Sequence, residues 1–330
     1  MLKLNDGNME SPCVRVSKKA GEKTRQKLTE LGAIDNTLKI KSDGEKLLIP
    51  IIKSVEGYDI GKDDFEVLKK EESLADVIGF MPAYEIVGDI AIIDQHESDA
   101  QKIANALIRQ KKIKTALQAA SAVIGEYRTR DFTILAGEKR TETLYRENGC
   151  RYLLDVSRVY FTPRLATERM RIANQIKDGD KVVDMFAGVG PFSILIAKKF
   201  PASHVIAIDK NPVAIKYLKE NARLNKVKNV EVREGDVRKE IKEILDADHV
   251  IMNLPHSGLE FLDTAFGIIK KGGFIHFYAI THEDDLFDGI LKKIDDIARA
   301  SGFQTIPLSK RIVRPYAPYQ YNICIDFQVA

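Results

Sequence analysis

The run Val182-Val183-Asp184-Met185-Phe186-Ala187-Gly188-Val189-Gly190-Pro191 decides the fold, because an apolar strand breaks there into a glycine turn and a helix opens around Gly190 to Ser193. Lacking Cβ, Gly188 and Gly190 let the backbone turn tightly and approach a ligand. Three more strand-like runs follow at regular intervals, Val205 to Ile208, Val230 to Arg233 and His249 to Met252. Each has an amide or carboxylate close behind it: Asp209, Asp236 and Asn253. In an open α/β sheet, ligands bind beyond the carboxyl ends of the strands near the switch in strand order. These four junctions are therefore expected to line one cleft.

The residues around the turn narrow the ligand. Asp209 lies about 20 residues past it, at a second strand end, where an acid accepts hydrogen bonds from ribose hydroxyls. A dinucleotide-dependent dehydrogenase would place an acid there too. However, Ser193 stands where the dinucleotide fingerprint has its third glycine, and Pro191 removes a backbone N–H that a pyrophosphate could have used. The pattern favours a nucleoside without phosphates, such as S-adenosylmethionine.

Length and composition place this fold in a larger chain. With 330 residues and 44% hydrophobic content, two or three domains are expected. No apolar run approaches the length of a membrane span, and Met1 to Val14 is too polar for a signal peptide, so a cytoplasmic protein is expected. Cys13, Cys150 and Cys324 are widely separated, giving neither metal-ligand spacing nor a disulfide framework. A net charge of +3 means that any nucleic-acid binding must come from local basic patches.

Upstream, Cys13 to Val16, Ala20 to Leu31 and Leu47 to Ile52 read as strand, helix and strand, with Pro50 marking an edge or an interruption. Lys62, Asp63 and Asp64, then Lys69, Lys70, Glu71 and Glu72, read as a solvated region between units. Tyr84 to Asp94 alternates like two strands about Gly88-Asp89, and Ser98 to Arg109 has helical spacing. The basic run Arg109-Gln110-Lys111-Lys112-Ile113-Lys114 follows, then Ala122-Val123-Ile124, a second small α/β unit ending near Glu147-Asn148-Gly149. The expected division is an N-terminal module over 1–70, an α/β module over 80–150 and a nucleoside-binding domain over 151–330.

The motifs Asp184-x-Phe186-Ala187-Gly188-x-Gly190-Pro191-Phe192-Ser193, Ile208-Asp209-x-Asn211-Pro212-x-Ala214 and Gly235-Asp236-Val237-Arg238 resemble the class I methyltransferase fold, which is Rossmann-like. More narrowly, three segments resemble the archaeal and eukaryotic tRNA (guanine37-N1)-methyltransferase family. They are Val159-Tyr160-Phe161-Thr162-Pro163-Arg164-Leu165-Ala166-Thr167-Glu168-Arg169, Glu126-Tyr127-Arg128-Thr129-Arg130 and Met252-Asn253-Leu254-Pro255. Arg311 to Pro318 fits as well, and the first sixty residues match more loosely.

The resemblance implies a monomeric enzyme that transfers a methyl group from S-adenosylmethionine to N1 of guanosine 37 in tRNA, its two N-terminal modules gripping the RNA. It implies a donor site at Arg169, Asp184, Phe186, Gly188, Gly190, Asp209, Asp236 and Asn253. Guanine N1 is protonated at neutral pH and must lose that proton before it attacks, so a base is required. The resemblance carries this role onto Glu168. It places Arg128 near O6, where a guanidinium stabilises the charge that deprotonation creates, and Asn253 and Pro255 at the base edge. Tyr160 and Arg164 are implied as stacking and backbone contacts. Related enzymes that methylate exocyclic amines or glutamine carry Asn/Asp-Pro-Pro and an aromatic, whereas this chain reads Asn253-Leu254-Pro255-His256. His256 stays outside the catalytic set, and Tyr316, Tyr319 and Tyr321 read as sheet packing. The alternatives are a wyosine-pathway methyl or aminocarboxypropyl transfer at the same position, a noncatalytic RNA-binding protein, and a dehydrogenase.

Overall fold

A computed structural model of the chain describes residues 8–68, 74–109, 112–121 and 125–330. The Lys69 to Glu72 run, Gln110, Lys111 and the segment Ala122 to Ile124 lie outside the described residues. The chain divides into two compact units, Met1–Val77 and Ile78–Ala330.

In the first unit, β1 (Asn8–Ser17), α1 (Gly21–Glu30), β2 (Lys41–Asp43), β3 (Lys46–Pro50) and β4 (Asp59–Glu66) build an antiparallel sheet in the order β2-β3-β1-β4. Successive strand side chains point to opposite faces, so neighbouring residues feed different cores. Val14 and Ile49 pack with Leu28 of α1, while Cys13 and Leu48 pack with Phe65 and Leu38 on the other face. Pro50 ends β3, and Ile51 continues only as a single bridge to Ile34. Lys62, Asp63 and Asp64 are not a spacer between units. They belong to edge strand β4, where Phe65 supplies the buried side chain and Asp63 pairs with Lys41 at 2.6 Å. Charge on an edge strand keeps other chains from adding to it, which gives a sheet residue the composition of a linker.

Helix α2 (Leu74–Ile78) spans the division. In the second unit, β5 (Tyr84–Val87), β6 (Ile90–Ile93), α3 (Ala100–Ile108), β7 (Thr115–Ala119) and β8 (Phe132–Gly137) form a sheet in that strand order, with β6 and β7 parallel across α3. Arg109 ends α3, and Lys112 and Lys114 are exposed before β7. The hairpin of β9 (Glu142–Glu147) and β10 (Cys150–Asp155) comes next.

The remainder is a doubly wound domain: α4 (Ala166–Ala173), β11 (Lys181–Asp184), α5 (Pro191–Lys199), β12 (His204–Asp209), α6 (Pro212–Leu224), β13 (Val230–Glu234), α7 (Val237–Glu240), β14 (Ala247–Met252), α8 (Leu262–Phe266), β15 (Ile269–His282), α9 (Asp288–Ala300), β16 (Thr305–Ala317) and β17 (Gln320–Val329). The strand order is β13-β12-β11-β14-β15-β17-β16, and β17 runs antiparallel to both its neighbours. Alternate residues of the parallel strands feed two cores, Val182, Val205 and Ile251 on one face and Val183, Ile206 and Val250 on the other. The strand order switches between β11 and β14, so the carboxyl ends of β11, β12, β13 and β14 meet along one edge, as the sequence predicts.

Helix α6 also braces the hairpin. The Asn225 and Asn221 carboxamides each pair with the β10 backbone, Asn225 with N–H and C=O of Arg151 (2.9 and 2.6 Å) and Asn221 with those of Leu153 (2.6 and 3.0 Å). Among the described residues, no helix is long and apolar enough to cross a membrane.

Candidate active site

A cavity of about 620 Å3 opens at this edge, a volume typical of small-molecule sites. One half of its wall is built by the glycine turn. Gly188 and Gly190 have φ of +55° and +86°. A Cβ on Gly190 would stand 3.0 Å from Ile194 Cδ1 and 3.1 Å from Leu218 Cγ, so this glycine serves packing and does not reach the wall. A Cβ on Gly188 would meet nothing closer than the Tyr160 carbonyl at 3.9 Å, and would project into open space at the wall.

Asp209, the last residue of β12, holds this turn. Its carboxylate accepts from Gly188 N–H at 2.7 Å and Asn211 N–H at 2.8 Å. Burial pushes its pKa up, against these backbone donors. Each oxygen keeps lone-pair capacity beyond those bonds. Asp236 caps α7 through Arg238 N–H at 3.0 Å and lines the cavity beside it. Phe186 packs edge-on against Phe261 with centroids 5.2 Å apart, and the Arg238 guanidinium lies over the Phe261 ring at 4.1 Å. Phe261 was not singled out in the sequence, and Arg238 entered only as the last residue of the Gly235-Asp236-Val237-Arg238 motif, with no role of its own. Their one signal is position, in segments that directly follow strand-end loops.

These groups fit the adenosine part of S-adenosylmethionine: carboxylates at two neighbouring strand ends, an aromatic platform, and a helix start where Pro191 offers no N–H to a phosphate. Two expected donor contacts are corrected. Gly190 is behind the turn, as above. Asp184 is fully buried at the end of β11, accepts from Ser193 Oγ at 2.7 Å, and ties the strand to α5 beneath the turn. Burial above all, helped by the charge of Asp209, pushes its pKa up to about 7. Arg169 touches the wall, but its guanidinium is engaged by Glu147 at 2.7 and 2.8 Å and by the Thr162 carbonyl at 2.9 Å, all buried. Its charge therefore faces Glu147.

The other half of the wall gathers Arg128, Tyr160, Asn253, His256 and Tyr316. Gly125 to Arg128 is a turn closed by Arg128 N–H on the Gly125 carbonyl at 3.2 Å, and Arg128 has φ of +54°. That turn lays the guanidinium 4.7 Å over the Tyr160 ring. Tyr316, expected to pack the sheet, instead faces the cavity and meets His256 edge-on at 5.2 Å. Burial, then the charge of Arg128, lowers the His256 pKa, which keeps the imidazole neutral at neutral pH. A small neighbouring recess is lined by Arg128, Tyr160, Asn253, Pro255, Arg314 and Asn322, where Asn322 Oδ1 and Arg314 Nε are buried without hydrogen-bond partners. Arg164 lies apart, on a second cavity of about 230 Å3 with Arg130 and Tyr84, its Nε 3.4 Å from Glu85.

Glu168 is not on the wall. Its chain neighbours Leu165 and Arg169 line the cavity, and its own carboxylate is buried behind them. Oε1 accepts from Tyr278 Oη at 2.8 Å and Arg171 Nη2 at 2.7 Å, and Oε2 from Arg171 Nε at 3.0 Å. Arg311 Nε stands 3.6 Å from Oε2, beyond a good hydrogen bond.

Comparison with known proteins agrees with this geometry. Residues 143–306 match the TRM5/TYW2 methyltransferase domain, residues 13–59 the tRNA methyltransferase 5 N-terminal domain and residues 66–141 the TYW2 N-terminal domain. The chain is 46% identical to tRNA (guanine(37)-N(1))-methyltransferase Trm5b of Pyrococcus abyssi, over 96% of this chain and 98% of that one. The crystal structure of wild-type Trm5b from Pyrococcus abyssi superposes with a TM-score of 0.73 at 44% identity, covering 97% and 99% of the two chains. A complex structure of aTrm5 and tRNALeu superposes with a TM-score of 0.70 at 34% identity, covering 96% and 99%. With a full-length relative, a matching catalytic domain and a cleft built from the expected strand ends, the chain belongs to the TRM5/TYW2 methyltransferase family.

Proposed function

We propose that this protein is a tRNA (guanine37-N1)-methyltransferase that uses S-adenosylmethionine. One observation carries the reading: a single cavity joins a nucleoside-shaped half, with Gly188, Asp209 and Asp236, to a half with Arg128, Tyr160 and Asn253, in a chain matched end to end by a guanine-N1 enzyme. That match includes the N-terminal 13–59 segment, which favours plain N1 methylation over wyosine-type transfer.

Bound S-adenosylmethionine supplies an electrophilic methyl group, and the residues of this chain prepare the nucleophile. On our reading Tyr160 stacks the guanine while Asn253 holds its edge, in a loop that Pro255 stiffens and ties to Ile280 N–H at 3.1 Å. Arg128 stabilises negative charge at O6 as N1 loses its proton. Glu168 receives that proton. Of its four lone-pair positions three are filled, two on Oε1 and one on Oε2, so Oε2 is the atom with capacity left, and the proton reaches it once Leu165 or Arg169 in front of it shifts in the complex. The modules over 1–70 and 80–150 contact the tRNA, the segment over 151–330 catalyses, and the enzyme works as a cytosolic monomer.

Methyl transfer from labelled S-adenosylmethionine to unmodified tRNA transcripts with guanosine or adenosine at position 37 tests the function. The expected product is 1-methylguanosine, absent from the adenosine transcript. Label that persists on the adenosine transcript would sink the proposal.

A further inference from the structure

A chain of polar groups crosses the interior of the methyltransferase domain behind the proposed base, and the cavity itself does not call for it. Arg171 grips Glu168 with Nε and Nη2, and grips both carboxylate oxygens of Asp326 on β17 with Nη1 and Nη2. Gln175 adds a bond to Asp326 at 3.2 Å. His276 Nδ1 lies 2.8 Å from Asp326 Oδ1, and its Nε2 lies 3.1 Å from His249 Nδ1. The two imidazoles stack with an interplanar angle of 3°. His276 is fully buried, and His249 and Asp326 nearly so. Burying this many polar groups in a sheet core gives little stability over an apolar core of equal volume.

The hydrogen-bond directions give the chain a sense. Asp326 accepts only, so His276 donates to it from Nδ1, and at the far end of the pair His249 Nε2 lies 3.3 Å from Asp180 Oδ2. Burial, and then its neighbour His276, pushes the His249 pKa down to about 3, so the imidazole is neutral at neutral pH. Burial opposes charge on Asp326, but bonds from His276 and Arg171 outweigh it and hold the carboxyl well below the usual range. Asp326 thus collects bonds from His276, Gln175 and Arg171, and Arg171 is the fork between the two carboxylates.

We propose that Arg171, Asp326 and His276 are positioning residues for the reaction, fixing the orientation of the Glu168 carboxylate behind the cavity wall. The inference rests on the reading of Glu168 as the base. The charged and titratable groups facing Glu168 are Arg171 on its own helix, Tyr278 on β15, Arg311 on β16 and Cys324 on β17. Burial first, then nearby negative charge, raises the pKa of the Tyr278 hydroxyl and the Cys324 thiol, so both stay protonated and Tyr278 remains a donor. Arg171 and Arg311 are then the cations beside Glu168, and only Arg171 hydrogen-bonds to it.

The test is single-turnover methyl transfer by the full chain with saturating S-adenosylmethionine and tRNA transcript, measured across pH. Asp326→Asn unhooks the fork, and His276→Phe removes the donor to Asp326. Each should lower the rate constant about 10- to 100-fold, the scale of a misplaced catalytic group. Half-saturating tRNA and the S-adenosylmethionine Kd should stay within about twofold. The acid limb of the pH–rate profile should move downward in Asp326→Asn, because that variant removes an anion from the fork and leaves Arg171 on Glu168. His276→Asn keeps a donor for Asp326 and should restore most of the rate. Folded Asp326→Asn and His276→Phe proteins with wild-type rate and acid limb overturn the proposal, as does equal loss in His276→Asn and His276→Phe. If Asp326→Asn does not fold, Arg171→Lys, which cannot fork, must show the same rate loss or the proposal falls. Glu168→Gln separates the premise: an unchanged rate there removes the base reading and this inference with it, whereas a slow Glu168→Gln beside fast network variants removes the inference alone.

Discussion

The two halves of the main cavity are built by opposite means. On the donor side the backbone does most of the holding: Asp209 ties the glycine turn, Asn211 caps α6 at 2.9 Å, and Ser193 locks β11 to α5. On the base side, Arg128 rests on a ring from a strained turn, while Asn322 Oδ1 and Arg314 Nε are buried and unpaired in the adjoining recess. A donor that is the same in every turnover suits a turn tied down beforehand, with Asp184 Oδ1 beneath it the one buried oxygen there that lacks a partner among the described residues. A base drawn from a large RNA suits a wall whose polar groups find partners only in the complex. Substitutions on the first side should therefore register in stability and donor affinity, and those on the second in rate.

The sharpest break of this contrast lies where the halves meet, at the buried pair Arg169 and Glu147. Glu147→Ala leaves the Arg169 guanidinium charged and uncompensated, and should cost about 3–5 kcal/mol in urea unfolding. A loss below about 1 kcal/mol would mean that water or another acid reaches Arg169. Next in size, Arg128→Ala should slow single-turnover methyl transfer about 100- to 1000-fold, the scale of losing one oxyanion donor, with an unchanged Tm. A lowered Tm with intact rate would reverse the roles assigned to the two sides. Asp209→Asn should weaken S-adenosylmethionine about 10- to 100-fold in calorimetry while tRNA affinity holds. Equal weakening of both ligands would erase the division.

The smallest effect is a matter of sign. The Asp184 carboxyl is raised from 3.8 unfolded to about 7 folded, so the stability of its protonated form is full at low pH and declines as pH rises from about 4 to about 7. Asp184→Asn keeps a partner for Ser193 and carries no charge at any pH. It should melt with the wild type near pH 4 and a few degrees above it by pH 8. An advantage that shrinks with rising pH would show that Asp184 is ionised in the native state.

What could be read in the sequence follows the same divide. The donor half is local: one glycine turn and the residues just past three strands, set by strand periodicity and the topology of a parallel sheet. Asp209, Asp236 and Asn253 could be placed on one edge without coordinates. The base half is assembled from Arg128, Tyr160, Asn253 and Tyr316, which come from four distant segments, and spacing cannot tell which way an edge-strand tyrosine faces. Glu168 illustrates the limit. Its motif was recognisable and Arg171 stands one helical turn away, but its burial behind Leu165 and Arg169 depends on Tyr278 and Asp326, which no local pattern connects to it. Lys62 to Asp64 failed for a different reason, since an edge strand and a linker solve the same solubility problem with the same residues.

The two asparagines of α6 set a length standard. Four residues of helix advance about 6 Å, and two residues of strand about 6.6 Å, so carboxamides at Asn221 and Asn225 can read successive outward-facing peptides of β10. A slip of the hairpin by one residue would present the wrong peptide groups to both at once. The pitch of one helix thereby acts as a ruler for a strand that belongs to another sheet, and it covers a hairpin edge that would otherwise be free to recruit a foreign chain.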